Sequence, residues 1–443
     1  MKSSLFYTAF LILIFLNLSC TEKKKDWSAH TQITKWPEGK TGAVSITYDD
    51  GIINQLTIAK PIMDSLGLPA TFFIITGKVE GSAQGKFIGR DPESIISETA
   101  SVKTDSTNFF ERASLIAFTG TSEAELYHAN VGALYEAGKI AEAYALLDEG
   151  YEKIRKGRMK DTEDVAFHNN PVDTTTWEQY KSYQKQGHEI SSHTVTHPRL
   201  AVLDEANMRY ELEQSKADLA KFMGEESTFS AEGPYGTENE RVMEYAHKIY
   251  PALRNRMPED WLAEINRSSK QQPGASSKEY VQWQRGALSH TSIEQMKAWT
   301  DTVRAHDNIW LVLVIHGVED YGWEPIKRDE LVQYFADLKE NEEAIWIGTF
   351  GDVTKYLRER KATKISSTLK ENEIRLHLES DLDASTYNVP LSFKTYLPED
   401  WNGVSLVKES GNSPLKTHTD HRGKYVSYSV PFHQTQVVLI SAE

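Results

Sequence analysis

The chain has 443 residues, 39% of them hydrophobic and 26% charged, an ordinary balance for a globular protein with room for two or three domains. No internal stretch approaches the roughly 20 apolar residues of a membrane-spanning helix. A formal net charge of −15 argues against nucleic acid, whose binding relies on basic surfaces that release counterions, and suits a neutral substrate better.

At the start of the chain, Lys2 supplies a positive flank, Leu5 to Leu18 form an apolar run too short to span comfortably, and Ser19-Cys20 follow. Residues 1–20 therefore read as a signal peptide. Cys20, the one cysteine, stands behind a small residue where a bacterial lipoprotein would be cleaved and lipidated. On that reading the protein is exported and held by a lipid anchor in a bacterial cell envelope, on the periplasmic side or at the cell surface. Residues 21–41 then become a tether whose Lys23-Lys24-Lys25 run can meet anionic headgroups. The alternative is an ordinary cleaved signal with an incidental thiol.

From Gly42 onward short apolar runs alternate with amphipathic segments of helical period. The pattern predicts strands at Ala43–Tyr48 and Ala70–Ile75, with a helix at Asn54–Leu66 between them. Further strands are expected at His188–Ser192, Thr228–Ala231, Gln282–Leu288, Ile309–Ile315 and Ala344–Phe350. Helices are expected at Asp204–Met223, Ile293–His306, Arg328–Asn341 and Asp352–Arg360. This order describes a (β/α) barrel or open parallel sheet over residues 42–362. The stretch from about 81 to 170, rich in Ala, Glu, Tyr and Lys, reads as a helical insertion. Within it Gly132, Tyr135, Gly138, Ala143 and Tyr151 resemble one tetratricopeptide helix pair. A single unit cannot bury a stacked core, so a hairpin packed on the barrel is expected, with a protein-partner surface as the alternative. Residues 363–443 lose the helical period and alternate between turn signals, which predicts a small β-sandwich acting as a glycan-binding module or a structural lid.

Four predicted strands end in polar motifs. Thr47-Tyr48-Asp49-Asp50-Gly51 closes the first, and His193-Thr194-Val195-Thr196-His197-Pro198 follows the third. Phe229 to Gly236, including Glu232 and Tyr235, closes the fourth, and Val312 to Gly317, including His316, a later one. The carboxyl ends of parallel strands share one face, where such folds build active sites. Two histidines four apart, joined by Asp50, give two imidazoles and a carboxylate with open positions, a set that suits zinc or alternatively cobalt, nickel or manganese. Pro198 disfavours helix at His197, so a turn is expected there.

These motifs resemble the polysaccharide deacetylases with a NodB-homology domain, carbohydrate esterase family 4, over Gly42–Ala362 without the insertion. Thr47 to Gly51 resembles the family's first motif with Tyr48 in place of the common phenylalanine, and Gly187-His188-Glu189-Ile190 leading into His193–His197 resembles its second. Ile345 to Phe350 with the following helix resembles the closing strand and helix. The resemblance implies a distorted barrel of seven or eight strands and removal of N- or O-linked acetyl groups from an oligo- or polysaccharide. It makes Asp50, His193 and His197 the ligands of one divalent ion, with zinc the first candidate. It makes Asp49 the general base and His316 the general acid, and turns the Tyr235 backbone N–H toward the oxyanion. One position departs: Glu232 stands where the family carries an arginine. An extra carboxylate should raise the Asp49 pKa unless another arginine, such as Arg285, takes its place in space. Asp260-Trp261 is the candidate for the family's fourth motif. Two other readings stay open: a hydrolase of a non-sugar amide or ester at the same metal, and a catalytically silent glycan-binding or scaffold protein.

Overall fold

The computed structural model describes residues 24–161, 175–236 and 239–442. The signal peptide, Cys20 and the end of the insertion lie outside the described residues.

The strand Gly42–Asp50, here β1, is buried along its whole length, as a parallel strand covered on both faces must be. It is the centre of a nine-stranded sheet whose other members are β2 (Thr71–Ile74), β3 (Glu189–Ser192), β4 (Ser230–Ala231), β5 (Ala252–Leu253), β6 (Leu262–Ile265), β7 (Tyr280–Gly286), β8 (Ile309–Ile315) and β9 (Ile345–Ile347). All its pairings are parallel, in the order β5-β4-β3-β2-β1-β8-β7-β6, with β9 beside the first residues of β1 and β2 beside the last. The sheet curls into the expected distorted barrel. Two strands more than the sequence pattern predicts, β5 and β6, form its two ends.

Side chains alternate between two apolar layers along β1 and β8. Val44, Ile46, Tyr48, Leu311, Leu313 and Ile315 face a layer completed by Leu56, Met63, Met296, Trp299 and Phe335 of the surrounding helices. Ala43, Trp310 and Val312 face the other layer, which runs on without a break into Phe350, Ile374, Leu376, Phe393 and Leu439. The carboxyl-terminal β region is therefore built onto the barrel through a shared core.

That region comprises two antiparallel sheets of six and four strands. Its edge strands come from the opposite end of the chain: Lys25–Asp26 pairs with Lys364–Lys370, and Thr31–Ile33 pairs with Leu391–Tyr396. The segment expected to be a tether is thus structural from Lys25. The reason lies in Trp27, Ile33 and Trp36, whose burial in the shared core a free linker would forgo.

The insertion holds helices at Pro92–Glu98, Phe109–Ala117, Ser122–Glu136 and Ile140–Arg155, the first and third capped by the Asp91 and Thr121 side chains. They close their own apolar cluster around Phe109, Ile116, Val131, Leu147 and Tyr151, which Val202 of the barrel joins. Docking is polar as well. His128 accepts the Arg199 N–H through Nε2 at 2.9 Å while its Nδ1 faces the Ala113 carbonyl at 2.9 Å, and Glu136 pairs with Arg199 at 2.6 Å. Gly132 permits this approach, since a Cβ there would stand 2.1 Å from Arg199 Cδ.

Candidate active site

Adjacent residues of a strand point to opposite faces, yet Asp49 and Asp50 line one cavity. The bend that allows it is local: Asp50 and Gly51 both take left-handed backbone, φ 75° and 70°. Gln55 then clamps the strand ends, donating through Nε2 to the carbonyls of Asp49 at 2.6 Å and His316 at 2.7 Å.

The loop after β3 is a turn, as Pro198 suggested. Thr194 and His197 both have φ 67°. Side chains hold this shape: Ser192 Oγ accepts the Thr194 N–H, Thr194 Oγ1 accepts the His197 N–H, and Glu211 accepts the N–H groups of Val195 and Thr196 and the Thr196 hydroxyl, each at 2.8 Å for Glu211. Of the eight non-glycine residues with positive φ among the described residues, Asp50, Thr194, His197 and Tyr235 line or border this cavity. Such conformations cost of order 1 kcal/mol or more each and persist where surrounding structure imposes them.

The turn brings both imidazoles to Asp50. Its Oδ1 lies 3.5 Å from His193 Nε2 and 3.3 Å from His197 Nε2, is buried, and has no hydrogen-bond partner. One ligand atom from each of the three side chains falls within a sphere of mutual separations of 4.8 Å. Ligand atoms about 2.0–2.2 Å from a single tetrahedral ion stand about 3.4 Å apart, close to the 3.3 and 3.5 Å between Asp50 and the two imidazoles. The other His193 nitrogen, Nδ1, donates to the Glu232 carbonyl at 3.0 Å, which leaves Nε2 as the lone-pair donor. An orphaned buried carboxylate oxygen between two oriented imidazoles fits a divalent cation.

Asp49 is held by a residue the sequence reading did not single out. Arg254, directly after β5, donates to both Asp49 oxygens at 2.7 Å each and pairs with Glu232 at 2.8 Å. Burial pushes the Asp49 carboxyl up, but Arg254 first, then His316 and His193, outweigh it and hold it below the ordinary carboxylate value. The expectation that Glu232 would raise the Asp49 pKa is corrected here, because Glu232 is neutralised by Arg254 and by two hydrogen bonds from Asn255 at 2.7 and 2.8 Å. Arg285 is not the substitute arginine. It shares a face of β7 with Trp283, over whose ring it lies, while Gln284 of the opposite face lines the cavity.

His316, directly after β8, has Nε2 3.3 Å from Asp49 Oδ2 and its ring against Trp323 at 4.9 Å. Burial lowers its pKa against the opposing pull of Asp49 and Asp50. Tyr235 closes another wall, its ring 4.8 Å from His197 and beneath the Arg199 guanidinium at 4.4 Å. Asp260-Trp261 does not reach the cavity: Trp261 packs edge-on against Tyr280 in the shared core. The cavity holds about 370 Å³, and Asn266, Arg267 and Ser268 after β6 also line it.

Residues 155–252 match the family model described as polysaccharide deacetylase, a span that contains β3, β4, both histidines and Glu232. A gellan lyase from a Bacillus species is 26% identical over 276 residues, 57% of this chain and 11% of that protein, so the chain spans about a tenth of the curated relative. Among solved structures, the Xyl-CE4 domain of a multidomain xylanase from the hindgut metagenome of Trinervitermes trinervoides is 14% identical with a TM-score of 0.33, covering 71% of this chain and 90% of that one. A family 4 carbohydrate esterase from Bacillus anthracis is 13% identical with a TM-score of 0.32, covering 73% and 86%. The matched segment lies within the parallel barrel and reaches the cavity at the carboxyl ends of its strands. Residues 155–252 are thus similar to part of a polysaccharide deacetylase domain.

Proposed function

We propose that the protein is a metal-dependent hydrolase that removes acetyl groups from an oligo- or polysaccharide. The observation that carries this reading is the convergence of Asp50, His193 and His197 beside an aspartate–histidine pair, Asp49 and His316, in one cavity. Asp50, His193 and His197 would hold the cation, with zinc the first choice for two imidazoles and a carboxylate and cobalt, nickel or manganese as replacements. When bound, the cation supplies an acidified water and polarises the acetyl carbonyl.

The chain's own residues supply the rest. Arg254 keeps Asp49 ionised and aimed, so Asp49 can take the proton of the attacking water. His316, in contact with Asp49, hands a proton to the departing amine or alkoxide, and its lowered pKa makes it a stronger acid when charged. The Tyr235 backbone N–H, in the cavity wall, serves the oxyanion of the tetrahedral intermediate. Cys20 would carry the lipid anchor that holds the enzyme in the cell envelope, next to polymeric glycan.

The test is acetate release from acetylated chitooligosaccharide, acetylated xylan and peptidoglycan with zinc or cobalt supplied. Release from at least one, lost by about 100-fold or more in Asp49→Asn and His316→Gln at unchanged metal content, is expected. No release from any of the three by metal-loaded protein would overturn the reading. Fatty-acid labelling of cells carrying wild type or Cys20→Ser tests the anchor, with label expected only in wild type.

A further inference from the structure

Three arginines line the cavity, and they are not equivalent. Arg254 is consumed by Asp49 and Glu232. Arg199 is consumed by Glu136 of the insertion. Arg267 makes no ion pair or hydrogen bond among the described residues, and its guanidinium lies over the Trp323 ring at 4.9 Å. His316 also packs against that indole, at 4.9 Å. One aromatic ring therefore joins the pair that we assign to chemistry with a cation that has no direct ion-pair partner among the described residues, both inside one cavity.

We propose that Arg267 reads a carboxylate on the substrate glycan, placed on the acetylated sugar or its immediate neighbour, so that the enzyme prefers an anionic acetylated polymer over a neutral one. This rests on the deacetylase reading and refines it, and it departs from the neutral substrate that net charge suggests. A chain with a net charge of −15 repels anionic polymers on average. Capturing one requires a cation fixed at the site, and Arg267 is that cation. Contact with the Trp323 ring holds the guanidinium at the cavity and leaves its donors free for a two-point bond to a carboxylate. The neighbouring Arg254 charge disfavours the Arg267 cation, and a substrate carboxylate opposite it would offset that repulsion. A single guanidinium matches a monoanion such as carboxylate better than a phosphate dianion. Asn266 and Ser268 on either side offer neutral hydrogen bonds to sugar hydroxyls.

Glycans that carry such a group include uronic acids and the lactyl ether of muramic acid. Binding of acetyl-free ligands separates recognition from turnover. In one arm, calorimetry on the zinc-loaded full-length protein compares a glucuronic-acid-bearing xylo-oligosaccharide with its carboxyl-reduced twin. In the other it compares a muramic acid–glucosamine disaccharide with chitobiose in the free-amine form. In one arm the carboxylate ligand should bind about 10-fold tighter at low salt, the preference shrinking as salt rises. Arg267→Gln should reduce it to within about 2-fold, with Arg267→Lys between, and the exposed position of Arg267 leaves the fold intact. Equal binding of both members in both arms, or a preference that survives Arg267→Gln, overturns the proposal. Acetate release without any preference would leave the deacetylase reading standing alone. A preference without acetate release would leave Arg267 as a carboxylate reader in a protein that is not a deacetylase.

Discussion

At the scale of single residues, Arg254 does the work that the sequence led one to seek at position 232. Its bond to Asp49 is two-pronged and fully buried, and the same guanidinium neutralises Glu232. Removing one member of such a set leaves uncompensated charge, which typically costs about 3–5 kcal/mol. Arg254→Met should therefore lower the unfolding free energy by that order in chelator-treated protein, and adding Glu232→Ala should recover part of the loss. Urea titrations of the two variants check this, and an Arg254→Met curve superimposable on wild type would refute the role. Glu211 acts on the metal loop without touching a ligand. Glu211→Ala orphans the Val195 and Thr196 N–H groups, and the loosened turn should weaken zinc binding by about 10- to 100-fold. Glu211→Gln keeps a carbonyl acceptor and should retain most of the affinity; zinc competition against a fluorescent chelator tells the two apart.

At the scale of elements, legibility depended on apolar runs and on recognisable motifs at the strand ends. β1, β2 and β8 carry apolar runs, and β3, with one apolar side chain in four, is marked by the His193–His197 motif behind it, so Asp49, Asp50, His193 and His316 could be brought together. β5 and β6, of two and four residues, carry neither signal, and Arg254 and Arg267 at their ends went unseen. The alternation Gln282-Trp283-Gln284-Arg285 did hold a usable signal, since it sets Arg285 on the face opposite Gln284. The insertion was legible as helices but not as part of the site, because its link to the cavity wall is tertiary: His128 and Glu136 hold Arg199, which covers Tyr235. His128 makes that link sensitive to acid. Burial pushes its pKa down to about 4, the Ala113 carbonyl opposing and Arg199 adding to the shift. An unfolded histidine titrates near about 6.5, so between those values the unfolded chain takes up a proton that the folded one refuses. Stability is then full above about pH 6.5 and falls toward pH 4, by about 3 kcal/mol at the limit. His128→Gln, which keeps a donor and an acceptor without titrating, should lose less stability than wild type between pH 7 and pH 5. Identical losses in chemical denaturation would count against this account.

For the whole molecule, the consequential feature is that one of the barrel's two apolar layers is not closed by the barrel itself. The layer facing the β region joins Trp310, Phe350 and Tyr356 of the barrel to Ile374, Phe393 and Leu439, and the first residues of the described chain complete it. Sequence periodicity marks where helices give way to strands near residue 363, but it cannot show that two apolar faces meet across that boundary or that an early segment pairs with strands some 360 positions away. Trp36 tests the point most sharply. It has no exposed surface, donates through Nε1 to the Asp307 carbonyl at 2.8 Å, and meets Tyr280 edge-on at 5.1 Å. A tryptophan in a flexible tether would contribute nothing to folding. One packed between two layers should cost about 3–5 kcal/mol when cut to alanine, from lost burial plus the cavity left behind. The neighbouring Lys25, exposed on a two-residue edge strand, provides the contrast, and Lys25→Ala should lie within about 0.5 kcal/mol of wild type. If the core is continuous, Trp36→Ala should shift a single cooperative unfolding transition seen both by barrel tryptophan fluorescence and by far-ultraviolet circular dichroism. Two separated transitions, with only the β region destabilised, would show instead that barrel and β region fold as independent units.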